Sequence, residues 1–427
     1  MRYTREDLKA LQAATLDEKI DHSLSIIEIF YLREHGNCHI SFSGGKDSTV
    51  LKYLIEHEYP ARGGRLLQNI PSVFSDTGLE YPEIRKFAMR QENVVSVRPK
   101  MNFLEVLRHY GYPLISKAVS NAIVNAKRTP GGSRWKRMHG EYRRNDGGRS
   151  QFDYSKWLPL MDLPIKISDE CCGAMKKRPM QTYQRATGRY PITGTTAAES
   201  VLRTTWWIGK GCNTFSDSPR GKAKSNPLSA WLEQDILHYI KRENIEICSV
   251  YGDLVYTDAD GNEYEENPFS PDAPMRCTGC ERTGCMFCPF GAHLEKGETR
   301  FQRLRRTHPR QYEFMMGGGE WIQEDGKRLW MSPLRKSNPR AEKRTASWRL
   351  WLRSSYRTDW NRTSSSGPGT WACIPTDKTA PGRKILARCC FIFKKAIDIY
   401  TLNVYNIIKG RKGESAKNEA AGLDKET

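Results

Sequence analysis

Residues 43–48, Ser-Gly-Gly-Lys-Asp-Ser, have the side chains and the spacing of a phosphate-binding loop. An apolar run at 38–42 precedes them and predicts a strand, and the residues from 48 onward predict a helix. Glycines let backbone N–H groups approach an anion closely, and the N-terminus of a helix adds a positive partial charge. We therefore expect nucleotide phosphates to be bound by Ser43, Gly44, Gly45, Lys46, Asp47 and Ser48.

Lys46 and Asp47 are the loop residues with charged side chains. The ammonium group of Lys46 could neutralise phosphate charge, and Asp47 could help to hold Mg²⁺ or could simply cap the helix. The string is not the GxxxxGK[ST] loop of kinases and GTPases. ATP with Mg²⁺ is therefore the predicted ligand, and a Gly-Gly turn that binds nothing is the alternative.

A cluster of cysteines lies far from this loop in the sequence. Two CxxC pairs stand four residues apart, and a tandem Cys-Cys pair precedes them. Zinc ribbons usually separate their two pairs by more residues, whereas a short gap is typical of iron–sulfur sites. We predict a [4Fe–4S] cluster, with a structural Zn²⁺ or ordinary thiols as alternatives, and leave open which four of the six are ligands. The six candidates are Cys171, Cys172, Cys277, Cys280, Cys285 and Cys288.

Short apolar runs alternate with helical patterns through the first half of the chain. The predicted strands are 38–42, 70–74, 94–97 and 190–193. The predicted helices are 5–34, 48–57, 82–90, 103–110 and 228–241. This alternation predicts an α/β fold built on a doubly wound parallel sheet, with a small Cys-rich metal module and a basic tail.

The chain of 427 residues carries a net charge of +19, and 38% of its residues are hydrophobic. No run of apolar residues is long enough to cross a membrane, and aromatic residues are too frequent for a disordered chain. The N-terminus has no apolar signal segment, so we expect a reducing, cytoplasmic location in which clustered cysteines bind metal or do chemistry. The positive charge favours a nucleotide or nucleic-acid partner and equally fits simple solubility.

Composition divides the chain into three segments. We predict a nucleotide-binding domain at 1–250, a Cys-rich metal-binding module at 251–332 and a basic, loosely structured tail at 333–427. The change in composition at the tail leaves open whether this segment is a native domain or a replaced or out-of-frame end. A glycine-rich basic insertion at about 127–150 interrupts the first domain.

The basic insertion combines positive charge with aromatic side chains. Residues 127–149 contain eight Lys or Arg residues and two acids, together with Trp135 and Tyr142. Charge that follows a phosphate backbone and rings that stack on bases are the features of a surface for single-stranded nucleic acid. The alternative is a solvated surface loop.

Several of these motifs resemble those of a known family. The loop at 43–48 resembles the PP-loop of the ATP pyrophosphatases, which cleave ATP between the α- and β-phosphates and adenylate a substrate. The strings Val-Phe-Ser-Asp-Thr-Gly-Leu-Glu-Tyr-Pro-Glu at 73–83 and Ile-Thr-Gly-Thr-Thr-Ala-Ala-Glu-Ser at 192–200 are similar to motifs of the phosphoadenosine phosphosulfate (PAPS) reductase family. This resemblance covers roughly residues 20–300 and implies the PP-loop version of the α/β fold.

The resemblance also implies roles for residues outside the loop. The first of the two strings implies an adenosine pocket lined by Asp76, Thr77 and Gly78. The second implies a glycine motif that closes over the nucleotide, with Gly194, Glu199 and Ser200. Lys176 and Lys177 follow the tandem Cys pair in a pattern that also recurs in this family, and they and Arg203 could bind a phosphate or sulfate group; the alternative for the two lysines is a solvated surface position. A tandem Cys pair with a distant CxxC implies an iron–sulfur cluster.

Two departures from true sulfonucleotide reductases direct the functional prediction. Those enzymes usually replace the Lys-Asp part of the loop, whereas this chain keeps it as Lys46 and Asp47. They also use a catalytic Cys in a Glu-Cys-Gly string near the C-terminus, whereas Cys373, Cys389 and Cys390 of this chain lie in other strings. We therefore expect an ATP-dependent adenylating enzyme that inserts sulfur into tRNA or DNA, helped by a sulfur or electron donor protein and with no membrane partner. The alternatives are a PAPS or APS reductase and a non-catalytic, nucleotide-gated nucleic-acid-binding protein with structural zinc.

Overall fold

The structure of the protein is a computed structural model. It describes residues 3–144, 146–148, 150, 152–163, 165–217, 222–267, 273–295, 298–316, 320–324 and 327–331. The predicted basic tail at 333–427 therefore lies outside the described residues.

The helices and strands are numbered in chain order. The α-helices are α1 (Arg5–Gln12), α2 (Leu16–Arg33), α3 (Lys46–Tyr53), α4 (Tyr59–Ala61), α5 (Pro82–Arg90), α6 (Phe103–Tyr110), α7 (Lys117–Arg128), α8 (Ser133–Met138), α9 (Arg178–Thr187), α10 (Val201–Lys210), α11 (Glu233–Arg242), α12 (Arg300–Thr307) and α13 (Pro309–Met316). The strands are β1 (Cys38–Phe42), β2 (Ser72–Ser75), β3 (Val94–Val97), β4 (Tyr190–Ile192), β5 (Asn213–Thr214), β6 (Lys224–Ser225), β7 (Leu254–Thr257), β8 (Glu263–Tyr264), β9 (Met275–Cys277), β10 (Glu320–Glu324) and β11 (Lys327–Met331). Short π-helical turns occupy Leu54–Glu58 and Gly173–Lys177, and short 3₁₀ turns occupy Ser155–Asp162, Ala197–Glu199, Pro227–Ala230, Ser249–Tyr251 and Ala292–Leu294.

The chain forms two compact units. The first contains residues 1–106 and 172–286, and the second contains residues 107–171 and 287–427. The cysteine cluster is divided between them, because Cys171 and Cys288 belong to the second unit and the other four candidates belong to the first.

The first unit contains a six-stranded sheet in the order β3-β2-β1-β4-β6-β5. All neighbouring strands are parallel except β5 and β6, and Ile40 of β1 lies opposite both Ser72 of β2 and Ile192 of β4. The predicted α/β fold with a mostly parallel sheet flanked by helices is therefore confirmed. The order reverses between β1 and β4, and ligands of such sheets bind beyond the carboxyl ends of the strands at this point.

β1 lies in the middle of the sheet and is largely buried, including its polar His39. Its residues Cys38, His39 and Ile40 have no exposed surface and Phe42 is 2% exposed. A parallel strand in the middle of a sheet is covered on both faces, so successive side chains of β1 are buried on opposite faces of the sheet. A second, three-stranded antiparallel sheet, β8-β7-β9, leads directly into Cys277.

Several predicted elements differ from the observed ones. The helix predicted over 5–34 is two helices, because Thr15 and Glu18 form a capping box that starts α2. The helix predicted over 228–241 begins later, at Glu233, where the Asp235 carboxylate accepts a hydrogen bond from the Leu232 N–H at 2.7 Å. The helix predicted over 48–57 begins at Lys46 and ends at Tyr53, where a π-helical turn follows.

The second unit contains α7, α8, α12, α13 and the β10-β11 hairpin. The sequence predicts a loop for the basic insertion, but the insertion contains the helix α8 and therefore has local structure. Within the described ranges, no helix is both long and apolar enough to span a membrane.

Candidate functional site

The loop at 43–48 connects the carboxyl end of β1 to the first turn of α3. Gly44 has a φ of +70°, and a Cβ there would lie 3.1 Å from the Ile84 side chain. The hydroxyl groups of Ser43 and Ser48 are 3.0 Å apart, and the Gly45 N–H donates to the Ser43 Oγ at 3.3 Å. Glycine is thus required for the loop to turn closely above α5, and the serine hydroxyls line its inner side.

Lys46 is buried between two carboxylates. Its Nζ lies 2.8 Å from Glu233 and 3.2 Å from Asp47. Burial disfavours the charge of Lys46, but the two carboxylates outweigh burial and raise its pKa. Burial also raises the pKa of Asp47, despite the neighbouring ammonium group. Lys46 is therefore firmly cationic, and Asp47 is a carboxylate that would gain from a further cation.

The first helical amide of the loop is held by a residue from a distant part of the chain. The Lys46 N–H donates to the Tyr251 hydroxyl at 3.1 Å, and this hydroxyl lies 2.8 Å from the Thr283 Oγ1. Burial raises the pKa of Tyr251 to about 12, so its hydroxyl stays neutral near neutral pH. Tyr251 and Thr283 thereby join the phosphate-binding loop to the segment between the two CxxC pairs.

Glu233, Tyr251 and Thr283 were not among the predicted site residues. Each lies about two hundred residues from Lys46 in the sequence, and although Thr283 lies between the two CxxC pairs, no local pattern links any of the three to the phosphate-binding loop. Glu233 begins α11 and Tyr251 ends a 3₁₀ turn, so only the packing of these elements against α3 places them at the loop.

The residues after β2 form an internally bonded turn. The Asp76 carboxylate lies 3.0 Å from Arg85 and 3.2 Å from Arg98. Burial raises the pKa of Asp76, but the two guanidinium groups outweigh burial and lower it overall. The Thr77 hydroxyl donates to Glu80 at 2.7 Å, and Gly78 has a φ of +73°. Asp76 and Thr77 therefore shape the strand end through bonds within the protein.

The glycine motif packs directly on the loop. A Cβ at Gly194 would lie 2.7 Å from the carbonyl oxygen of Asp47, so only glycine allows the two backbones to approach this closely. Next to it, the hydroxyls of Thr193 and Thr195 donate to the Asn226 Oδ1 at 2.6 and 3.0 Å. The structure therefore brings the predicted Gly194 next to the predicted loop.

The other residues of this motif build the start of α10. Glu199 caps the preceding 3₁₀ turn and forms an ion pair with Arg203, and Ser200 is the N-cap of α10. Glu199 also contributes to the raised pKa of Asp47, which indicates that the two carboxylates lie near each other. Glu199, Ser200 and Arg203 thus belong to the same end of the sheet as the loop.

Lys176 lies on the π-helical turn before α9. Its amino group hydrogen-bonds the Cys285 sulfur and lies 3.7 Å from the Glu80 carboxylate. Burial opposes the charge, but Cys285, Glu80 and Cys172 together raise the pKa of Lys176. The structure thus joins Lys176 to two of the predicted metal ligands.

The first CxxC pair is packed tightly against the turn that carries Tyr251. Cys277 and Cys280 are buried, and the Cys280 N–H donates to the Val250 carbonyl at 2.9 Å. A Cβ at Gly279 would lie 2.5 Å from the same carbonyl oxygen, so this turn requires glycine. Burial raises the pKa of Cys277 to about 11, which disfavours the thiolate that a metal would bind.

The six predicted metal ligands are divided between the two units, with Cys171 and Cys288 in the second and the other four in the first. Among the residues that the structure describes, no three His, Cys, Asp or Glu side chains are placed to hold one metal ion. The [4Fe–4S] cluster, with Zn²⁺ as its alternative, therefore stays a prediction that rests on the spacing of the six cysteines. The cysteine cluster carries no part of the mechanism below.

The aromatic rings of the basic insertion are engaged within the second unit. Trp135 stacks on His139 with ring centroids 3.6 Å apart, and the Arg137 guanidinium lies 4.5 Å from the Tyr142 ring centroid. Lys136, Arg143 and Arg144 are exposed. The exposed charges are consistent with an anionic partner, whereas the rings already have partners.

Comparison with models of protein families gives a match in the middle of the chain. Residues 141–290 match the family model described as the phosphoadenosine phosphosulfate reductase domain. The matched segment includes Lys176, the glycine motif and the CxxC pairs, and it begins after the loop at 43–48. No curated protein matches the chain.

Proposed function

Because the chain carries a domain of the PAPS reductase family, we propose that it is a PP-loop enzyme that cleaves ATP between the α- and β-phosphates and adenylates its substrate. The observation that carries this proposal is the packing of Gly194 on the backbone of Asp47. This contact brings together the loop after β1 and the glycine motif after β4, at the point where the strand order reverses.

The loop supplies positive charge to the departing phosphates. Backbone N–H groups at the start of α3 and the ammonium group of Lys46 would bind the β- and γ-phosphates. The acceptor nucleophile attacks the α-phosphorus, the bond to the bridging oxygen of the β-phosphate breaks, and the electron pair leaves with pyrophosphate. The products are pyrophosphate and an adenylated acceptor.

Two carboxylates set the charge of this site. Asp47 and Glu233 hold Lys46 before the nucleotide arrives, and phosphate oxygens would take over part of this role. Mg²⁺ is usually held by one or two carboxylates together with substrate phosphates, and Asp47 is the loop carboxylate that fits this use. Bound there, the ion would neutralise charge that develops on the leaving pyrophosphate.

For the second half of the reaction we propose sulfur transfer to nucleic acid. A donor protein would supply sulfur at the oxidation level of hydrosulfide, which attacks the acceptor atom that bears the adenylated oxygen; the bond from this atom to the oxygen breaks, and the oxygen leaves with AMP. The exposed charges Lys136, Arg143 and Arg144 support an anionic acceptor. Reduction of a sulfonucleotide is the second candidate, and the description of the matching family model favours it.

Release of pyrophosphate tests the proposal. Purified protein is incubated with Mg²⁺ and ATP, both alone and with total tRNA or duplex DNA, and the release of pyrophosphate and of orthophosphate is measured. In a parallel incubation PAPS and a thiol reductant replace ATP, and the release of sulfite is measured. We expect pyrophosphate with one nucleic acid, loss of this activity in Lys46→Met, and unchanged activity in the exposed control Lys86→Met.

The other outcomes contradict the proposal in different ways. Orthophosphate without pyrophosphate would exclude cleavage between the α- and β-phosphates. Sulfite release from PAPS without ATP turnover would establish the reductase. ATP and nucleic-acid binding without any turnover would establish a nucleotide-gated binding protein.

A further inference from the structure

Lys224 is a cation that no carboxylate compensates within the part of the chain that the structure describes. It lies on β6 and is half-buried, with its Nζ 5.8 Å from the centre of the Trp206 ring. Among the described residues, no acidic side chain forms an ion pair with Lys224. Trp206 covers its aliphatic part but does not neutralise its charge.

A second cation lies next to Lys224. Burial lowers the pKa of Lys224 to about 8, and the nearby charge of Arg203 acts in the same direction. Arg203 is paired with Glu199, so the three side chains together keep one uncompensated positive charge. Lys224 is half-buried and the Arg203 side chain is 41% exposed, so an anion from solvent could reach both cations and compensate this charge.

The position of Lys224 places this charge at the nucleotide end of the sheet. The next residue, Ser225, lies opposite Ile192, and the Ser225 carbonyl accepts a hydrogen bond from the Thr193 N–H at 2.9 Å. Arg203 lies in the first turn of α10, where the helix N-terminus adds positive partial charge. Two cations and a helix end therefore come together beside the glycine motif.

We propose that Lys224, together with Arg203 and the first turn of α10, forms an oxyanion subsite for a phosphate or sulfate group, separate from the loop at 43–48. The identity of the molecule that carries this group rests on the proposed function, but the subsite itself does not. The group could belong to the nucleotide or to the acceptor, and in both cases the chemistry of recognition is the same.

The test observes the Lys224 amino group directly. Protein with ¹³C at the lysine Cε is titrated with sodium sulfate at constant ionic strength, and Lys224→Arg assigns the resonance because it removes the lysine signal and keeps the charge. We expect the signal to shift with sulfate and its pKa to rise by about one unit or more, since a bound anion favours the charged amine. Lys224→Met should weaken sulfate binding about tenfold, as expected for loss of one charged hydrogen bond, whereas the exposed control Lys222→Met should not.

Two further ligands distinguish the source of the group. Adenosine 5′-phosphosulfate and a short oligonucleotide are added to the wild type and to Gly45→Val, whose loop no longer accommodates a nucleotide phosphate. If adenosine 5′-phosphosulfate shifts the Lys224 signal in the wild type but not in Gly45→Val, the bound group belongs to the nucleotide. If the oligonucleotide shifts the Lys224 signal in both proteins, the bound group belongs to the acceptor. If sulfate, nucleotide and oligonucleotide all leave the Lys224 signal and its pKa unchanged in the wild type, the subsite does not exist. Sulfate binding without any ATP turnover would support the subsite and contradict only the proposed function.

Discussion

Replacing Gly194 by alanine should separate the glycine motif from the phosphate-binding loop. The new Cβ would lie 2.7 Å from the Asp47 carbonyl oxygen, 3.0 Å from its carbonyl carbon and 3.2 Å from the Ser48 nitrogen. Ordinary contacts of a Cβ begin at 3.4 Å, so the two backbones must move apart by about 0.7 Å. All three atoms belong to the backbone at the start of α3, so a change of side-chain rotamer cannot relieve the clash.

This displacement has two measurable consequences. Overpacking at a close backbone approach costs about 1–3 kcal/mol, so the midpoint of urea unfolding should fall. A loop displaced by a large fraction of an ångström should also reduce pyrophosphate release about tenfold to a hundredfold. Urea unfolding followed by tryptophan fluorescence and a pyrophosphate assay measure the two effects.

Gly209→Ala is the matched control. Gly209 lies within α10, and a Cβ there would have no atom within 4 Å. Alanine in a helix is more stable than glycine by up to about 1 kcal/mol, so this variant should be as stable as the wild type or more so. If Gly194→Ala unfolds at the wild-type urea concentration and keeps full activity, the close approach of the two backbones is not a requirement of the site.

Four other predictions address separate features. Tyr251→Phe should lower the free energy of unfolding by about 1–3 kcal/mol, because it leaves a buried loop N–H without its acceptor; an unchanged urea midpoint would contradict this. The contribution of Lys224 to the free energy of unfolding should rise as the pH increases from about 8 towards 10.5, because the folded chain then binds fewer protons at Lys224 than the unfolded chain does; the difference between the wild type and Lys224→Met isolates this contribution from buried groups of opposite effect such as Cys277, and a difference that does not change with pH would contradict it. Anaerobically purified protein should contain iron and sulfide if the cysteine spacing determines a cluster, and colourless protein with one zinc per chain would exclude it. Alanine in place of the exposed Lys136, Arg143 and Arg144 of the basic insertion should weaken binding of tRNA or DNA. The slope of the logarithm of the binding constant against the logarithm of the salt concentration should fall by roughly 0.7–0.9 for each phosphate that is no longer neutralised, and an unchanged slope would contradict a role of the insertion in binding.

Local signals in the sequence were enough to predict several parts of the site. The bounds of β1, β3 and α5 agree with those predicted, because apolar runs and a proline at the first helical turn act over a few residues. The glycines of the loop and Gly194 were also identifiable, since a close backbone approach leaves a signature in the residue type itself. Where local signals compete, as at the capping box of Thr15, the prediction of one continuous helix was wrong.

Some side chains reach the phosphate-binding loop from distant parts of the sequence, and these could be identified only from the packing of the helices and strands. The pairing of Lys46 with Glu233 and of its amide with Tyr251 depends on how α11 and the following turn pack against α3. The uncompensated charge of Lys224 likewise becomes visible only when β6 lies beside β4. The spacing of the cysteines predicts a shared metal, and this stays a prediction, because the distances between sulfur atoms depend on how the turns that carry the cysteines fold against each other.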